Sequence, residues 1–301
     1  MAELVMVHGI GPVGETEQEL REEWTRTLAR TLRDKERVEV ADRLERGVVT
    51  VDMAYYRDLY RPYVPRDEFD VTLPPQVAAT GAAYAQDVIG NISRHASDPR
   101  DSEEAADALE ELTLDVGPEQ GPLEPFRMFV SMMGSLGPIA RSGFAALSGR
   151  GAFHLGQVAA YLDDERVREG AIEAVLSRVT PDTKVVLAHS LGTVVAFEAL
   201  HRLDQPLPLL VTFGSPLGLR SIIRGRLRPQ PLRTPPQVKR WVNVADRDDF
   251  IVATLRLRTL FPDDDAVLER TRTVRNSNFD PHAAKEYLGR WETVEPLADL
   301  L

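Results

Sequence analysis

The chain has 301 residues, of which 43% are hydrophobic, so it can bury a sizeable core in one large domain or two small ones. Its formal net charge of −11 argues against a general nucleic-acid-binding protein, because such proteins gain much of their affinity by neutralising phosphates. The chain contains no cysteine, which excludes disulfides and thiolate metal sites.

The N-terminal residues Met-Ala-Glu lead directly into an apolar segment, without the basic region and cleavable apolar core of a signal peptide. The longest mostly apolar run, Met128–Ala140, is too short to span a bilayer and contains Pro138. We therefore expect no transmembrane segment, and either a cytoplasmic protein or a mature secreted form whose signal has been removed.

Apolar and β-branched segments alternate with helical patterns along most of the chain. The predicted strands are Leu4–Val7, Val48–Met53, Lys184–Ala188, Leu207–Phe213, Val238–Ala245 and Val267–Val274. Several are almost wholly apolar, which is typical of parallel strands covered on both faces, whereas the last alternates and suits an edge. The predicted helices are Glu15–Arg33, Gly156–Arg178, Thr193–Leu203, Ile251–Leu260 and Pro281–Arg290. This order predicts an α/β fold with a mostly parallel sheet and helices on both faces.

One segment interrupts the alternation. Residues 57–155 separate two strands by far more than an ordinary connection, so we expect an inserted helical cap or lid on a core formed by 1–56 and 156–301. The acidic stretch Asp98–Gln120 predicts a mobile segment or a surface helix. The stretch Phe126–Phe153 is rich in Met, Phe, Gly and Ser, and favours either a hydrophobic lid or ordinary packing helices.

The segment VHGIGPVG, which ends the first strand, allows two interpretations. Gly9, Gly11 and Gly14 fit the G-x-G-x-x-G spacing of a dinucleotide-binding loop. A His-Gly pair at a strand end is also where serine hydrolases build part of an oxyanion hole. A ribose-binding acid should follow about twenty residues on, whereas the second strand ends near Asp52. Pro12 also removes a backbone N–H from the loop. We therefore favour an anion-stabilising loop and predict no cofactor.

The segment KVVLAHSLGTVVAFEAL is the most specific signal in the chain. A buried strand ends, Ser190 lies in the turn, and a helix begins at once. The pattern is G-x-S-x-G with Ala188 in the first position and Gly192 in the last. A nucleophile on such a turn projects above the sheet, and large side chains two residues away would collide there. The helix N-terminus supplies free N–H groups for a developing oxyanion. A buried serine in an ordinary strand-to-helix turn is the alternative.

With this turn, the chain resembles the α/β-hydrolase family, in particular lipase- and esterase-like members with an Ala-His-Ser-x-Gly elbow. The resemblance covers Leu4–Tyr56 and about Gly156–Leu288. It implies an oxyanion hole formed by the N–H groups of Ile10 and Leu191. The residues that would support the loop and the elbow are His8, Gly9, Gly11, His189 and Gly192. Two departures stand out, because the family's usual first two strands are missing and the loop is His-Gly-Ile-Gly rather than His-Gly-Gly-Gly.

The resemblance also implies that the acid and the base follow the serine in that order. The segment WVNVADRDDFIVA offers Asp246, Asp248 and Asp249 at a strand end. Asp249 precedes an apolar run and best matches the family's Asp-x-x-Val pattern, and Asp246 is the second choice. His282 follows the last strand at a helix start, where the family carries its base. A surface histidine capping that helix is the alternative.

These features together predict a serine hydrolase that cleaves small-molecule or lipid carboxylic esters through an acyl-enzyme, without a metal. A thioesterase or acyltransferase with the same residues is an alternative, since the basic stretch Arg220–Arg240 could meet a phosphopantetheine or phospholipid headgroup. That stretch also suits a plain solvated loop. A non-catalytic protein of the same fold, with the cap as its partner surface, is a further alternative. A hydrophobic cap would also allow contact with a lipid interface, and the oligomeric state is not predicted.

Overall fold

The computed structural model describes residues 2–10, 15–63, 73–115, 128, 136, 151–261, 267–277 and 280–301. Within these ranges a single six-stranded parallel sheet has the order β2-β1-β3-β4-β5-β6. The strands are β1 Leu4–Val7, β2 Val51–Ala54, β3 Val185–His189, β4 Leu209–Phe213, β5 Trp241–Asp246 and β6 Arg272–Val274. The predicted α/β class and parallel sheet are confirmed, and the alternating last strand does lie at an edge.

Helices flank the sheet. They are α1 Glu17–Asp34, α2 Val38–Glu45, α3 Pro75–His95, α4 Pro99–Asp115, α5 Gly151–Asp163, α6 Glu165–Leu176, α7 Leu191–Leu200, α8 Ala284–Leu288 and α9 Trp291–Ala298. Short 3₁₀ helices span Arg57–Tyr63, Pro216–Gly218 and Leu257–Leu260, and one turn of π-helix spans Arg220–Arg224. Within the described ranges no helix has the length and apolar character needed to cross a membrane.

Each face of the sheet has its own hydrophobic cluster, as the apolar strands predict. Leu4 and Met6 of β1 pack on one face with residues of α1, α2, α8 and α9. Val5 and Val7 point to the other face and pack with residues of α3, α5, α6 and α7. All four side chains are fully buried. Burial of each such side chain stabilises the fold by roughly 1.5–3 kcal/mol, so the two-sided cover holds β1 at the centre of the sheet.

The predicted helix Ile251–Leu260 is wrong, because only Leu257–Leu260 is helical, as a 3₁₀ turn. The side-chain amide of Asn91 donates to the carbonyls of Phe250 and Val252 at 3.1 and 2.9 Å. Those two carbonyls accept hydrogen bonds from a side chain of α3 and do not form helical hydrogen bonds. An apolar run with helical spacing here forms a turn and an irregular segment, held by a side chain of α3.

Two other predicted helices differ in extent. The single helix Gly156–Arg178 is divided at Asp164, whose carboxylate accepts an N–H of the first turn of α6 at 2.8 Å and so caps a new helix. The predicted helix Pro281–Arg290 begins only at α8. The carbonyl of Pro281 accepts a hydrogen bond from the Asn276 side chain at 2.8 Å, so the preceding residues form a turn instead.

The described part of the insertion is helical. Val88 and Ile89 of α3 are fully buried in the same hydrophobic cluster as the sheet residues on that face. The described part of the acidic stretch forms a helix, α4, which is one of the two expected outcomes. The predicted lid segment Phe126–Phe153 lies almost entirely outside the described residues, as does Gly11 of the loop after β1.

Candidate active site

The sheet changes its direction of winding at β1, because β2 lies on one side of it and β3 on the other. In open parallel sheets, the loops that leave the carboxyl ends of two such strands diverge and form a binding crevice. His8, Gly9 and Ile10 follow β1, and Ser190 follows β3. The predicted loop and the predicted nucleophile thus meet at the switch point of the sheet.

Ser190 occupies a strained backbone conformation between β3 and α7. Its φ is 52° and its ψ is −131°, a region that residues other than glycine rarely adopt. Its N–H donates to the Phe213 carbonyl at 3.2 Å, and its carbonyl accepts from the N–H and hydroxyl of Thr193 at 2.9 and 2.7 Å. These bonds hold a buried turn that presents the hydroxyl at the carboxyl edge of the sheet.

Two glycines let the loop after β1 approach this turn. A Cβ atom on Gly9 would lie 2.5 Å from Cβ of Ser190, and one on Gly192 would lie 2.3 Å from the His8 carbonyl oxygen. Neither distance is compatible with a side chain. Leu191 is the first residue of α7, where backbone N–H groups lack helical partners. Ile10 follows Gly9 in the loop that lies against the serine.

Ser190, His282 and Asp249 form a continuous chain of hydrogen bonds. Nδ1 of His282 lies 2.9 Å from Oδ1 and 2.8 Å from Oδ2 of Asp249. Nε2 of His282 lies 2.9 Å from Oγ of Ser190. Because the carboxylate only accepts, Nδ1 carries the ring hydrogen, and Nε2 accepts from the Ser190 hydroxyl. The three residues singled out in the sequence are therefore brought together in the geometry of a nucleophile, a base and an orienting acid.

The Asp249 carboxylate is fully buried, and each of its oxygens has a second donor. The Ile251 N–H donates to Oδ1 at 2.9 Å, and the Tyr287 hydroxyl donates to Oδ2 at 2.7 Å. Gly214, with φ of +56°, packs so closely that a Cβ there would lie 3.2 Å from Oδ2. An isolated buried charge is costly, so this set of donors is what allows an ionised carboxylate to stay behind the histidine.

The other two candidate acids have different partners. The Asp246 carboxylate accepts from the backbone N–H groups of Asp248 and Asn276. Burial raises the pKa of Asp246. The Asp248 carboxylate accepts from the hydroxyl of Ser97. Both side chains brace loops, and neither one forms a hydrogen bond with the imidazole.

The three histidines at the site have different proton affinities. Burial opposes a charged ring at His282, but the charge of Asp249 and its hydrogen bond outweigh burial and raise the pKa of His282. Burial lowers the pKa of His8 to about 4. Burial, and then the charge of His282, lower the pKa of His189 well below its usual value. His282 is therefore the one histidine of these three whose pKa is raised rather than lowered.

His8 and His189 support the surrounding backbone. Nδ1 of His8 donates to the Gly9 carbonyl at 2.7 Å, and its Nε2 accepts from the Tyr56 N–H at 3.3 Å. Nε2 of His189 donates to the His282 carbonyl at 2.8 Å. Burial favours the neutral form of both rings, and these bonds determine which ring nitrogen carries the hydrogen.

Sequence reasoning missed three residues around the acid: Asn91, Gly214 and Tyr287. Asn91 lies in the insertion and holds the chain just after Asp249. No motif links it or Tyr287 to the site. For Gly214, the glycine in the strand-end sequence Phe-Gly-Ser-Pro was the one available signal, since glycine tolerates positive φ.

Among the described residues, ion pairs hold three of the seven basic residues of the stretch Arg220–Arg240. Arg226 pairs with Asp163. Arg228 pairs with Glu165 at 2.7 Å, and Arg240 pairs with Glu269 at 2.6 Å. These pairs neutralise part of the positive charge that the sequence concentrates in this stretch.

A cavity of about 380 Å³ lies beside the turn that carries the acid. Its wall is formed by the end of α3, the start of α4 and the loop after β5, and it includes Asp249 and Phe250. The Phe250 ring centre is 6.0 Å from that of His282. In the part of the chain that the structure describes, no group of three or more His, Asp or Glu side chains is placed to hold a metal ion.

Comparisons with protein-family models, with curated proteins and with solved structures found no match to this chain in any of the three.

Proposed function

We propose that the protein is a serine hydrolase of the α/β-hydrolase type, which cleaves carboxylic esters through an acyl-enzyme. The observation that carries the proposal is the hydrogen-bonded chain from Asp249 through His282 to Ser190, with both contacts of the imidazole between 2.8 and 2.9 Å. A nucleophile within reach of a base, and a base oriented by a third group, is the arrangement that acyl transfer requires.

In the proposed reaction, Oγ of Ser190 attacks the ester carbonyl carbon while Nε2 of His282 takes the hydroxyl proton. The tetrahedral intermediate collapses as the imidazolium returns this proton to the departing alcohol, leaving an acyl-enzyme. Water then attacks the acyl group, again giving a proton to His282, and the acid product leaves as Ser190 regains its hydrogen. Asp249 remains ionised throughout and stabilises the imidazolium.

The negative oxygen of each intermediate is assigned to the backbone N–H groups of Ile10 and Leu191. The close approach of Gly9 to Ser190 supports this assignment, because it brings the loop after β1 over the nucleophile. Leu191 begins α7, whose N-terminal end carries partial positive charge. Loss of one donor of this kind typically lowers the rate roughly 100- to 1000-fold.

The connectivity of the sheet supports the α/β-hydrolase assignment. The proposed nucleophile, acid and base follow β3, β5 and β6 in chain order, and the oxyanion loop follows the neighbouring strand β1. We assign 1–56 and 156–301 to the catalytic core and 57–155 to a cap. The proposed substrate is a small-molecule or lipid ester, and the chemistry needs no cofactor.

The raised pKa of His282 gives the proposal a pH signature. The imidazole must be neutral to accept the Ser190 proton, so activity should fall as pH drops through the His282 pKa. Because the Asp249 carboxylate raises that pKa, the acidic limb of kcat/KM should lie above the usual histidine value of about 6.5.

The test is labelling with a fluorophosphonate, which reacts with activated serines, followed by peptide mapping. We expect a phosphonate on Ser190 of the wild type and none in Ser190→Ala or His282→Ala. His201→Ala, which alters the histidine that follows α7, away from the hydrogen-bonded chain, is the matched control and should label normally. Unlabelled, folded wild type in buffer and in detergent micelles would refute the proposal.

Substrate panels then distinguish the alternatives. Turnover of p-nitrophenyl esters that rises with acyl length favours a lipase-like cap. A marked preference for acyl-CoA over oxygen esters would assign a thioesterase, and acyl transfer to an added alcohol in place of water would assign an acyltransferase.

A further inference from the structure

Tyr287 is fully buried in α8, five residues after His282, and its hydroxyl lies behind the acid. We propose that Tyr287 is a positioning residue that holds the Asp249 carboxylate against His282, an inference that rests on the proposed function. The evidence for this role is a pair of hydrogen bonds made by the tyrosine hydroxyl.

The direction of these bonds follows from the number of hydrogens. Oη of Tyr287 lies 3.0 Å from the Asp246 backbone nitrogen and 2.7 Å from Oδ2 of Asp249. The backbone N–H can only donate, so Oη accepts from it, and the single hydroxyl hydrogen points to Asp249. The hydroxyl thus links the backbone at the end of β5 to the Asp249 carboxylate through two hydrogen bonds.

This bond completes the support of the carboxylate. Each oxygen of Asp249 faces Nδ1 of His282, and each needs a second donor in order to remain charged without water. Ile251 supplies that donor to Oδ1 through its backbone, and Tyr287 supplies it to Oδ2. Removal of the tyrosine hydroxyl leaves Oδ2 with the imidazole alone, so the carboxylate still lies against the ring but is less firmly fixed there.

The loss also has an electrostatic effect on the base. A carboxylate that gives up a hydrogen bond concentrates more negative charge toward the imidazolium and should raise the pKa of His282. The other titratable groups around this pair are Asp280 on the same segment, Asp246 and Asp248 at the end of β5, His189 at the end of β3, and Tyr84 of α3. Their side chains are retained in Tyr287→Phe, although the backbone N–H of Asp246 loses its acceptor.

The test compares Tyr287→Phe with Tyr161→Phe. Tyr161 is also fully buried and also donates to a buried carboxylate at 2.7 Å, that of Glu198. Glu198 lies eight residues along α7 from Ser190, so this control loses an equivalent bond away from the acid. Both variants should lose similar stability, which makes stability alone uninformative about the role.

Fluorophosphonate labelling of Ser190 should be about tenfold slower in Tyr287→Phe, since a hydrogen bond to a charged group contributes about that factor. The pH dependence of the labelling rate should shift upward by roughly half a pH unit or more, because it follows the pKa of His282. Tyr161→Phe should match the wild type in both measurements. Equal labelling rates and pH profiles in all three proteins would overturn the proposal.

Histidine NMR titration separates this inference from the proposed function, with the His282 signal assigned by a His282→Gln variant. A His282 pKa that rises in Tyr287→Phe but not in Tyr161→Phe supports the coupling even if the wild type takes no label. An unmoved pKa overturns it. If Tyr287→Phe does not fold, a fluorinated tyrosine at 287, whose hydroxyl is a stronger donor, should lower the His282 pKa, and a rise or no change would count against the proposal.

Discussion

The Cβ atom of Ser190 occupies the space that a side chain on Gly9 would need, since two Cβ atoms there would be only 2.5 Å apart. The loop after β1 and the turn after β3 therefore fit together only while position 9 has no side chain. This contact joins the proposed oxyanion loop to the proposed nucleophile.

Gly9→Ala should slow labelling of Ser190 by about 100-fold or more, because a displacement of about 1 Å at a reacting centre can cost that much. The matched control is Gly225→Ala, where an added Cβ meets no atom within 4 Å. The measurement is the labelling rate of each variant, and circular dichroism verifies that both are folded. Equal rates would show that the loop does not constrain the serine.

Asp249→Asn should lower ester turnover by roughly 1000- to 10,000-fold, because an amide no longer fixes the productive tautomer of His282. Asp246→Asn should lower the midpoint of urea unfolding while turnover stays within about tenfold, since Asp246 accepts only backbone N–H groups. Turnover and unfolding midpoints of both variants check this. A larger loss of turnover in Asp246→Asn would reverse the assignment of the acid.

Local sequence patterns predict correctly the elements that have the same kind of environment along their whole length. The central strands are mostly apolar on both faces, and each lies where an apolar run predicts it, to within a few residues. The turn at Ser190 is visible for a similar reason, because a strained strand-to-helix turn tolerates only small neighbours at close spacing. His282 and Asp249 were found through the order of nucleophile, acid and base that the family resemblance implies.

The errors occur where a distant side chain determines the local structure. Residues 251–260 have the spacing of a helix, but the side chain of Asn91, about 160 residues earlier, holds the carbonyls of Phe250 and Val252. Tyr287 was missed because its donor bond runs to Asp249, across 38 positions of sequence. Neither contact leaves a periodic signal in its own segment.

Asn91→Leu should remove both hydrogen bonds to the chain after Asp249 and leave two buried carbonyls without their donor. We expect the free energy of unfolding to fall by about 2 kcal/mol or more, with slower labelling of Ser190. Gln86→Leu, an exposed amide on the same helix, is the matched control and should change neither quantity appreciably. Full labelling in Asn91→Leu would show that α3 does not position the acid.

His8 should make the fold less stable in acid. Its folded pKa of about 4 lies below the unfolded value near 6.5, so the unfolded chain alone takes up a proton as pH falls between them. As the pH falls from 7 to 5, proton uptake by His8 in the unfolded chain should lower the free energy of unfolding by about 2 kcal/mol. His282, with a raised pKa, contributes in the opposite direction.

Urea unfolding at the two pH values, for wild type and His8→Gln, isolates the contribution of His8. The variant should lose less stability on acidification than the wild type does. His95→Gln is the comparison, because burial also lowers the pKa of His95 but this residue is exposed, so its effect should be smaller and in the same direction. An identical pH dependence in His8→Gln and wild type would mean that His8 is already charged in the folded protein.

Ser190→Gly should be more stable than Ser190→Ala by about 1 kcal/mol or more, although glycine usually weakens a helix end or turn relative to alanine. Glycine adopts a φ of 52° without strain, whereas alanine retains the cost of the conformation. Urea unfolding of the two variants measures the difference directly. Greater stability of the alanine variant would show that the turn relaxes once the hydroxyl is removed.

The position of β1 between β2 and β3 also bears on the protein's biosynthesis. Leu4 pairs with Val51 and with Val185, so half of its partners are made only after more than half of the chain. His282 follows Ser190 by a further 92 residues. A growing chain on the ribosome therefore contains Ser190 well before it contains His282. The proposed nucleophile gains its proposed base only after these further residues have been made.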